Sequence, residues 1–422
     1  MNNTKNAIII SISEDISETI DLADSLDYKA IKTFIQKRKT PDVNSYIGRG
    51  KLDEIIDYIS NKEINIDLII INGDLKPSQW FNLEKKLGIN VYDRIRLILD
   101  IFEKRADRRE AKLQVKLAQL GYERPFVREI IHRARAGEHP GFMAGGEYQV
   151  DDYYEMIKKQ IKKIKRNLDT IRDEREIRRR HRHISGFYLV SLAGYTNAGK
   201  SSLLNLLSGE KVKVEGKLFS TLSTTTRRVK NKNYPILLTD TVGFIQNLPA
   251  LIIDAFHSTL EEISVADIVL LLVDISENEE IVNKKLNVSF NELIEIGVKS
   301  PIIIVLNKSD LLSKKDLDKR INLIKKQDSI KKCKIVPLSV KNNENIDNLL
   351  NVIFLSFPQI SKSTIKLPIN KTTQSLISWI YDIAHVIDIS YDEFITITFE
   401  CNIIIRDKII SRCLSLNGKL IE

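Results

Sequence analysis

Gly194-Tyr195-Thr196-Asn197-Ala198-Gly199-Lys200-Ser201 fits the phosphate-loop pattern G-x-x-x-x-G-K-[ST] at each fixed position. The apolar run 188–193 before it reads as a strand, and 202–207 after it reads as a helix. In that setting the glycines let backbone N–H groups close around phosphates at a helix N-terminus, where the dipole favours anions. Lys200 would reach the β and γ phosphate oxygens, and the Ser201 hydroxyl would ligate Mg²⁺.

Outward from this loop, residues 186 to about 358 alternate apolar strand candidates with helical stretches. The strands fall at 187–193, 236–239, 268–273, 302–306 and 335–338. That alternation implies a mostly parallel sheet covered on both faces. Asp240-Thr241-Val242-Gly243 follows the second strand. A carboxylate at a strand end can hold magnesium through water, and Gly243 leaves its amide open to a γ-phosphate. Asn307-Lys308-Ser309-Asp310 follows the fourth. Asp310 can accept two hydrogen bonds, from N1–H and the 2-amino group of guanine; adenine offers no such pair and would leave the carboxylate unsatisfied. Lys308 can lie along the base, and Asn307 can approach N7 and brace the phosphate loop. Ser339, Val340 and Lys341 occupy the place of the last loop lining the base. The stretch Leu218-Phe219-Ser220-Thr221-Leu222-Ser223-Thr224-Thr225-Thr226-Arg227 should supply the switch threonine that ligates Mg²⁺ only beside a γ-phosphate. Composition does not choose among its threonines, and the bland reading of the stretch is a β-prone edge.

Residues 1 to about 93 read as a small α/β unit, with isoleucine-rich strands at 7–12, 29–34 and 67–72 and helices at 51–60 and 77–87. Gly48-Arg49-Gly50-Lys51 fails as a phosphate loop because Leu52 stands where Ser or Thr must ligate magnesium; it reads as a glycine-hinged helix start. A helix is expected over about 94–120. Ile157, Ile161, Ile164, Leu168 and Ile171 then recur at four and three residues, so 94–185 predicts an antiparallel helical hairpin with this seam as its core. The glycine- and arginine-bearing segment 121–150 predicts its tip loop. Residues 359–422 form a small C-terminal domain, with a helix at 373–384 and a strand at 394–399, in which no chemistry is evident.

Charge is concentrated rather than spread. The chain of 422 residues carries a net +9, yet 156–183 alone holds twelve lysines and arginines against four acids. A basic segment on an otherwise near-neutral chain points to a polyanion, RNA ahead of a membrane surface. The apolar run 268–273 is stopped by Asp274, far short of the ~20 residues that a membrane span needs, so stable membrane insertion is not expected. Three cysteines without a C-x-x-C exclude a disulfide scaffold and a four-cysteine zinc site, and fit a reducing cytoplasm.

The motifs in this order resemble the HflX family of translational GTPases. The residues that carry the resemblance are GYTNAGKS at 194–201, DTVGF at 240–244, DRREAKLQVKLAQL at 107–120, LFSTL at 218–222 and AFHSTLEE at 255–262, and it covers about residues 1–360. It implies an α/β fold: a P-loop GTPase domain with an N-terminal α/β plus helical-hairpin domain and a small C-terminal domain. It also implies GTP hydrolysis with Mg²⁺ on the large (50S) ribosomal subunit and its rRNA, splitting or rescuing stalled or idle ribosomes, by a cytoplasmic monomer. The alternative function is a GTP-gated RNA-binding or assembly module whose partner is not the ribosome. Alignment to the family singles out Thr221 as the switch threonine. The expected nucleotide contacts are Gly194, Tyr195, Thr196, Asn197, Ala198, Gly199, Lys200, Ser201, Ser202, Phe219, Ser220, Thr221, Asp240, Thr241, Val242, Gly243, Asn307, Lys308, Ser309, Asp310, Ser339, Val340 and Lys341. Lys200, Thr221 and Gly243 are expected to be catalytic, and Ser201, Thr221 and Asp240 to hold the metal.

Two departures from the family pattern stand out. Where the family usually reads G-P-G-E-T-Q-L-E followed by basic residues, this chain has Gly145-Gly146-Glu147-Tyr148-Gln149-Val150-Asp151 and then Asp152-Tyr153-Tyr154: Gly146, Glu147 and Gln149 are retained, and the proline and the adjacent basic pair are not. Ser223-Thr224 replaces an Asp-Pro. Independently of the resemblance, Phe244 stands where many small GTPases place a water-orienting glutamine, so intrinsic hydrolysis should be slow and completed by the ribosome or a cation. In GTPases that resemble this one at the phosphate loop, an asparagine at the place of Asn197 can help coordinate K⁺ near the phosphates, which makes K⁺ the cation to test; the bland reading is that Asn197 only caps the loop through its own backbone contacts.

Overall fold

Short β-branched runs make strands when both faces are covered, and the N-terminal region shows this directly. In the computed structural model, β1 (Lys5–Ser11), β2 (Tyr28–Ile35), β3 (Leu68–Ile71) and β4 (Val91–Tyr92) form a parallel sheet in the order β2-β1-β3-β4. Ile8, Ile9, Ile10, Ile69, Ile70 and Ile71 are fully buried. The helices are α1 (Ser17–Ser25), α2 (Arg49–Ser60), α3 (Pro77–Leu87) and α4 (Arg94–Arg105). α2 starts from Gly48, in line with a glycine-hinged start, and α3 takes Pro77 into its first turn and ends at Gly88 with φ +64°. The structure describes all residues except 1–4, 62–64, 136–146, 185–186, 210–223, 231–235, 242, 245–251, 253–255, 257–259, 328–329, 358–359 and 422.

The hairpin is longer than the sequence predicts. The helix expected over 94–120 breaks at 106–108, and α5 (Arg109–Arg135) then runs through Gly121 and Pro125. α6 (Glu147–Ile184) likewise starts inside the expected tip loop. Leu120, Val127 and Ile131 of α5 pack with Ile157 and Ile164 of α6, flanked by Ile161 and Leu168. That burial outweighs the ~1 kcal/mol that a helical glycine costs and the ~3 kcal/mol of a proline. Gly137, Pro140, Gly141, Phe142, Met143, Gly145 and Gly146, expected at the tip, lie outside the described residues.

The chain divides into two compact units, one built mainly on Met1–Thr170 and one on the residues beyond it. The second contains β5 (Tyr188–Gly194), β6 (Thr225–Arg228), β7 (Ile236–Asp240), β8 (Ile268–Asp274), β9 (Ile302–Asn307) and β10 (Lys334–Pro337), in the order β10-β9-β8-β5-β7-β6. Among the described strands of this sheet only β6 runs antiparallel, at the edge, where the threonine-rich stretch ends. Helices α7 (Lys200–Ser208), α8 (Glu279–Glu295), α9 (Lys314–Lys325) and α10 (Ile346–Phe354) alternate with these strands.

The C-terminal region has more structure than its sequence announces. β11 (Ile360–Leu367), α11 (Lys371–Ile383), β12 (His385–Tyr391), β13 (Ile395–Asn402), α12 (Ile403–Ser415) and β14 (Lys419–Leu420) make a βαββαβ unit. Its antiparallel sheet has the order β12-β13-β11-β14, that of the split βαβ or ferredoxin-like motif. Ile365, Leu367, Ile395, Ile397 and Phe399 alternate onto one face and pack with Ile380 and Ile409. Among the described residues no helix is long and apolar enough to cross a membrane.

Candidate nucleotide site

The site lies at the carboxyl ends of β5, β7, β8 and β9, beside the central strand from which successive strands depart to opposite sides. β5 delivers the phosphate loop, and its glycines are required by geometry. Gly194 has φ +132°, and a Cβ there would strike the Leu272 carbonyl oxygen of β8. Gly199 has φ +99°, and its Cβ would run into the Asn307 side chain. Asn197 also adopts a left-handed conformation, φ +64°, which asparagine tolerates better than most residues.

Lys200 opens α7 and is buried at 7% exposure. Its Nζ donates to the carbonyls of Gly194 at 2.9 Å and Tyr195 at 2.7 Å. Burial pushes its ammonium down to about 8, with the Asp240 carboxylate opposing the shift. The Ser201 hydroxyl donates to Asp240 Oδ2 at 2.7 Å, so the two side chains proposed to hold metal are adjacent and buried. A hydroxyl and a carboxylate are hard oxygen donors and fit Mg²⁺. Thr241 turns away, its hydroxyl donating to the Leu192 carbonyl.

Gly243 lies against the phosphate loop. A Cβ on it would come within 2.8 Å of Thr196 Cγ2 and 2.9 Å of Lys200 Nζ. The next residue fastens the stretch: Phe244 N–H donates to Gly194 O and Thr196 N–H donates to Phe244 O, each at 3.0 Å. The Phe244 ring is fully buried.

Asn307 joins two loops. Its Nδ2 donates to Ala198 O at 2.9 Å, and its Oδ1 accepts from Val340 N–H at 3.2 Å. Lys308 has φ +62°, and its ammonium pairs with Asp274 at the end of β8. Ser309 N–H donates to Leu338 O, holding the loop to the end of β10. A cavity of about 770 Å³ opens here, lined by Asn197, Gly199, Asn307, Lys308, Asp310, Val340 and Lys341, with Asn205, Leu206 and Gly209 also contributing. Oδ1 of Asp310 is buried and has no hydrogen-bond partner among the described residues.

The structure therefore brings residues 194–202, 240–241, 243, 307–310 and 339–341 to one end of one sheet. Phe219, Ser220, Thr221 and Val242 lie outside the described residues. Sequence reasoning missed Asp274, which orients Lys308 and is itself held by Ser276 N–H and Oγ. Its signal was there: Asp274 is the carboxylate that stops the apolar run of β8, and it pairs in register with Asn307.

Three family models match the chain: a GTP-binding GTPase N-terminal region over 13–103, a GTP-binding GTPase middle region over 105–182, and a 50S ribosome-binding GTPase over 189–308. The GTPase HflX of Thermococcus kodakarensis is 41% identical over 384 residues, 89% of this chain and 86% of its own length. The chain belongs to the HflX GTPase family. The GTPase HflX of Methanocaldococcus jannaschii is 40% identical over 405 residues, 96% of each chain, so the likeness reaches beyond the 1–360 expected from the motifs. The solved structure of SsGBP in complex with GDP superposes with a TM-score of 0.50 at 30% identity, over 83% of this chain and 98% of that one. As an HflX-type GTPase, the chain is a GTP-hydrolysing enzyme with the P-loop, N-terminal α/β, helical and small C-terminal parts expected of it.

Proposed function

We propose that this GTPase binds the large (50S) ribosomal subunit and its rRNA in its GTP state and splits or rescues stalled or idle ribosomes, as a cytoplasmic monomer. The observation that carries the reading is the outer face of α6. Lys158, Lys159, Lys162, Lys163, Lys165 and Arg166 are all exposed, while the isoleucine seam faces α5. So dense a cationic face suits a phosphate backbone, which rewards each neutralised charge with counterion release. The description of the G-domain family model as a 50S ribosome-binding GTPase supports the same partner. Arg172 and Arg175 contribute less free charge, since they pair with Glu261 at 2.9 Å and Glu262 at 3.4 Å.

In this reading the amides of the phosphate loop and Lys200 hold the β and γ phosphates, and the Gly243 amide meets the γ-phosphate. Ser201, Thr221 and Asp240 would hold Mg²⁺, which neutralises charge on the phosphates. The Oδ1 of Asp310, which has no hydrogen-bond partner among the described residues, supports guanine selection, with Lys308 along the base and Ser339 to Lys341 closing over it. Buried and apolar, Phe244 can neither orient water nor accept its proton, so an activator must complete the site. The test is sedimentation of the full chain with isolated 50S subunits. Binding with a non-hydrolysable GTP analogue, weakened with GDP and steeply salt-dependent, is expected; equal binding in both states would remove the GTP gate. Turnover in K⁺ against Na⁺, with and without subunits, identifies the activator. Stimulation by 50S alone would discard a potassium role for Asn197.

A further inference from the structure

The stretch Asp151-Asp152-Tyr153-Tyr154 near the start of α6 carries no basic residue, yet the folded hairpin gathers cations around Tyr154 from both of its helices. Arg124 of α5 donates from Nε to the Tyr154 hydroxyl at 3.3 Å, and its guanidinium carbon lies 5.6 Å from the ring centroid. Lys158, one turn along α6, places its Nζ 4.7 Å from the same centroid. Arg128 adds a third cation to the field at the phenol, and the three together hold it below the usual tyrosine range after the Arg124 hydrogen bond. One side of Tyr154 rests on the hairpin core, which fixes the ring, while Arg124, Arg128 and Lys158 are exposed. Lys158 is itself steadied by Glu155 at 2.7 Å.

A fixed aromatic ring flanked by a guanidinium plane and an ammonium is poorly suited to a hydrophobic partner and well suited to unpaired RNA. A base can stack on the ring or on the guanidinium, and the adjoining phosphates meet the cations. We propose that Tyr154, Arg124 and Lys158 form a stacking platform for an unpaired RNA base, with Arg128 on its phosphate. This rests on the reading of the hairpin as RNA-binding and gives it a defined contact, two turns from the start of α6.

The test measures binding of the full chain to a fluorescein-labelled single-stranded oligouridine by anisotropy, with heparin as a polyanion lacking bases. Tyr154→Ala should weaken RNA binding about tenfold, roughly one lost base stack, and leave heparin binding unchanged. Tyr154→Phe should keep most of the affinity, because the ring remains. Arg124→Ala should weaken both probes. Circular dichroism and GTP turnover of each variant report the fold. Equal RNA affinity of Tyr154→Ala and wild type, no RNA binding by wild type, or an equal loss on heparin would each overturn the platform. So would binding to phosphatidylserine vesicles that depends on Tyr154 when RNA binding does not. Sedimentation with 50S separates this from the wider reading. Wild type that sediments while Tyr154→Ala binds RNA normally sinks only the platform. Wild type that fails to sediment while the RNA arm behaves as expected sinks only the ribosomal partner.

Discussion

Two sheets in this chain, one parallel and one parallel but for its edge strand β6, end in very different ways. In the N-terminal sheet, the carboxyl ends of β1 and β3 are closed by the protein's own side chains. Asn72 Nδ2 donates to Ser11 Oγ at 3.0 Å and to Asp15 O at 2.9 Å, and its Oδ1 accepts from the Thr19 hydroxyl at 2.6 Å. The Tyr46 hydroxyl donates to Asn72 O at 2.7 Å. In the six-stranded sheet, the equivalent edge has left-handed glycines, a buried lysine, a cavity of about 770 Å³ and a buried carboxylate oxygen with no partner among the described residues. Both sheets follow the same layer rules, and both have a crevice where strands depart to opposite sides. Function separates them at the loops: one crevice satisfies itself, and the other is built to be satisfied by a ligand.

The largest expected effect comes from filling the open crevice with its own backbone. Gly194→Ala would force a Cβ onto the Leu272 carbonyl at a backbone conformation that alanine avoids. We expect GTP affinity to fall on the order of a hundredfold, the equivalent of two to three kcal/mol of strain and displacement. Calorimetric titration with GTP, beside circular dichroism, checks it. Wild-type affinity in the folded variant would show that the phosphate loop does not depend on this close approach. Asp310→Asn should come next, lowering the GTP-over-ATP preference by about tenfold to a hundredfold, because an amide sets a donor against guanine donors. An unchanged ratio in competition binding would mean that the base pocket lies elsewhere.

The sequence made some of this contrast legible and hid the rest for identifiable reasons. The buried strands β5, β7, β8 and β9 are continuous apolar runs, so they and the motifs at their ends could be placed within a residue or so. β11 reads Ile360-Ser361-Lys362-Ser363-Thr364-Ile365-Lys366-Leu367, half polar because one face of its sheet is not part of the core, and it escaped notice. The course of α5 through Gly121 and Pro125 was hidden because local propensity argues for a loop there, and only packing against α6 overrides it. Asp274 and the Arg124–Tyr154 pair depend on contacts between distant segments, which no local pattern encodes.

The ammonium of Lys200 sharpens the comparison by pH. Burial holds it near 8 in the folded chain against 10.5 for a free lysine, so between those values the unfolded chain binds more protons. The stability of the nucleotide-free protein therefore rises across that window. Nucleotide phosphates favour the charged form, so GTP binding takes up a proton there. Affinity should fall by up to about tenfold per pH unit above 8, and the binding heat should depend on the buffer's ionisation enthalpy. Affinity constant from pH 7 to 9 would mean that Lys200 stays fully charged without its ligand.

The smallest effect should come from opening the closed crevice. Asn72→Ala removes the donor to Ser11 and Asp15 and the acceptor for Thr19, leaving groups that were paired at the ends of β1 and α1 to find water. Asn72 is only half-buried, so solvent can recover part of the loss. The cost should be about 1–2 kcal/mol, read as a lower midpoint in the unfolding of the N-terminal unit. GTP affinity and turnover should be unchanged, since every hydrogen bond that is lost lies within the first unit. If Asn72→Ala changed GTP affinity by more than a few-fold, the two crevices would not be independent. The filled one would then have to be counted as part of the nucleotide cycle rather than as a sealed edge.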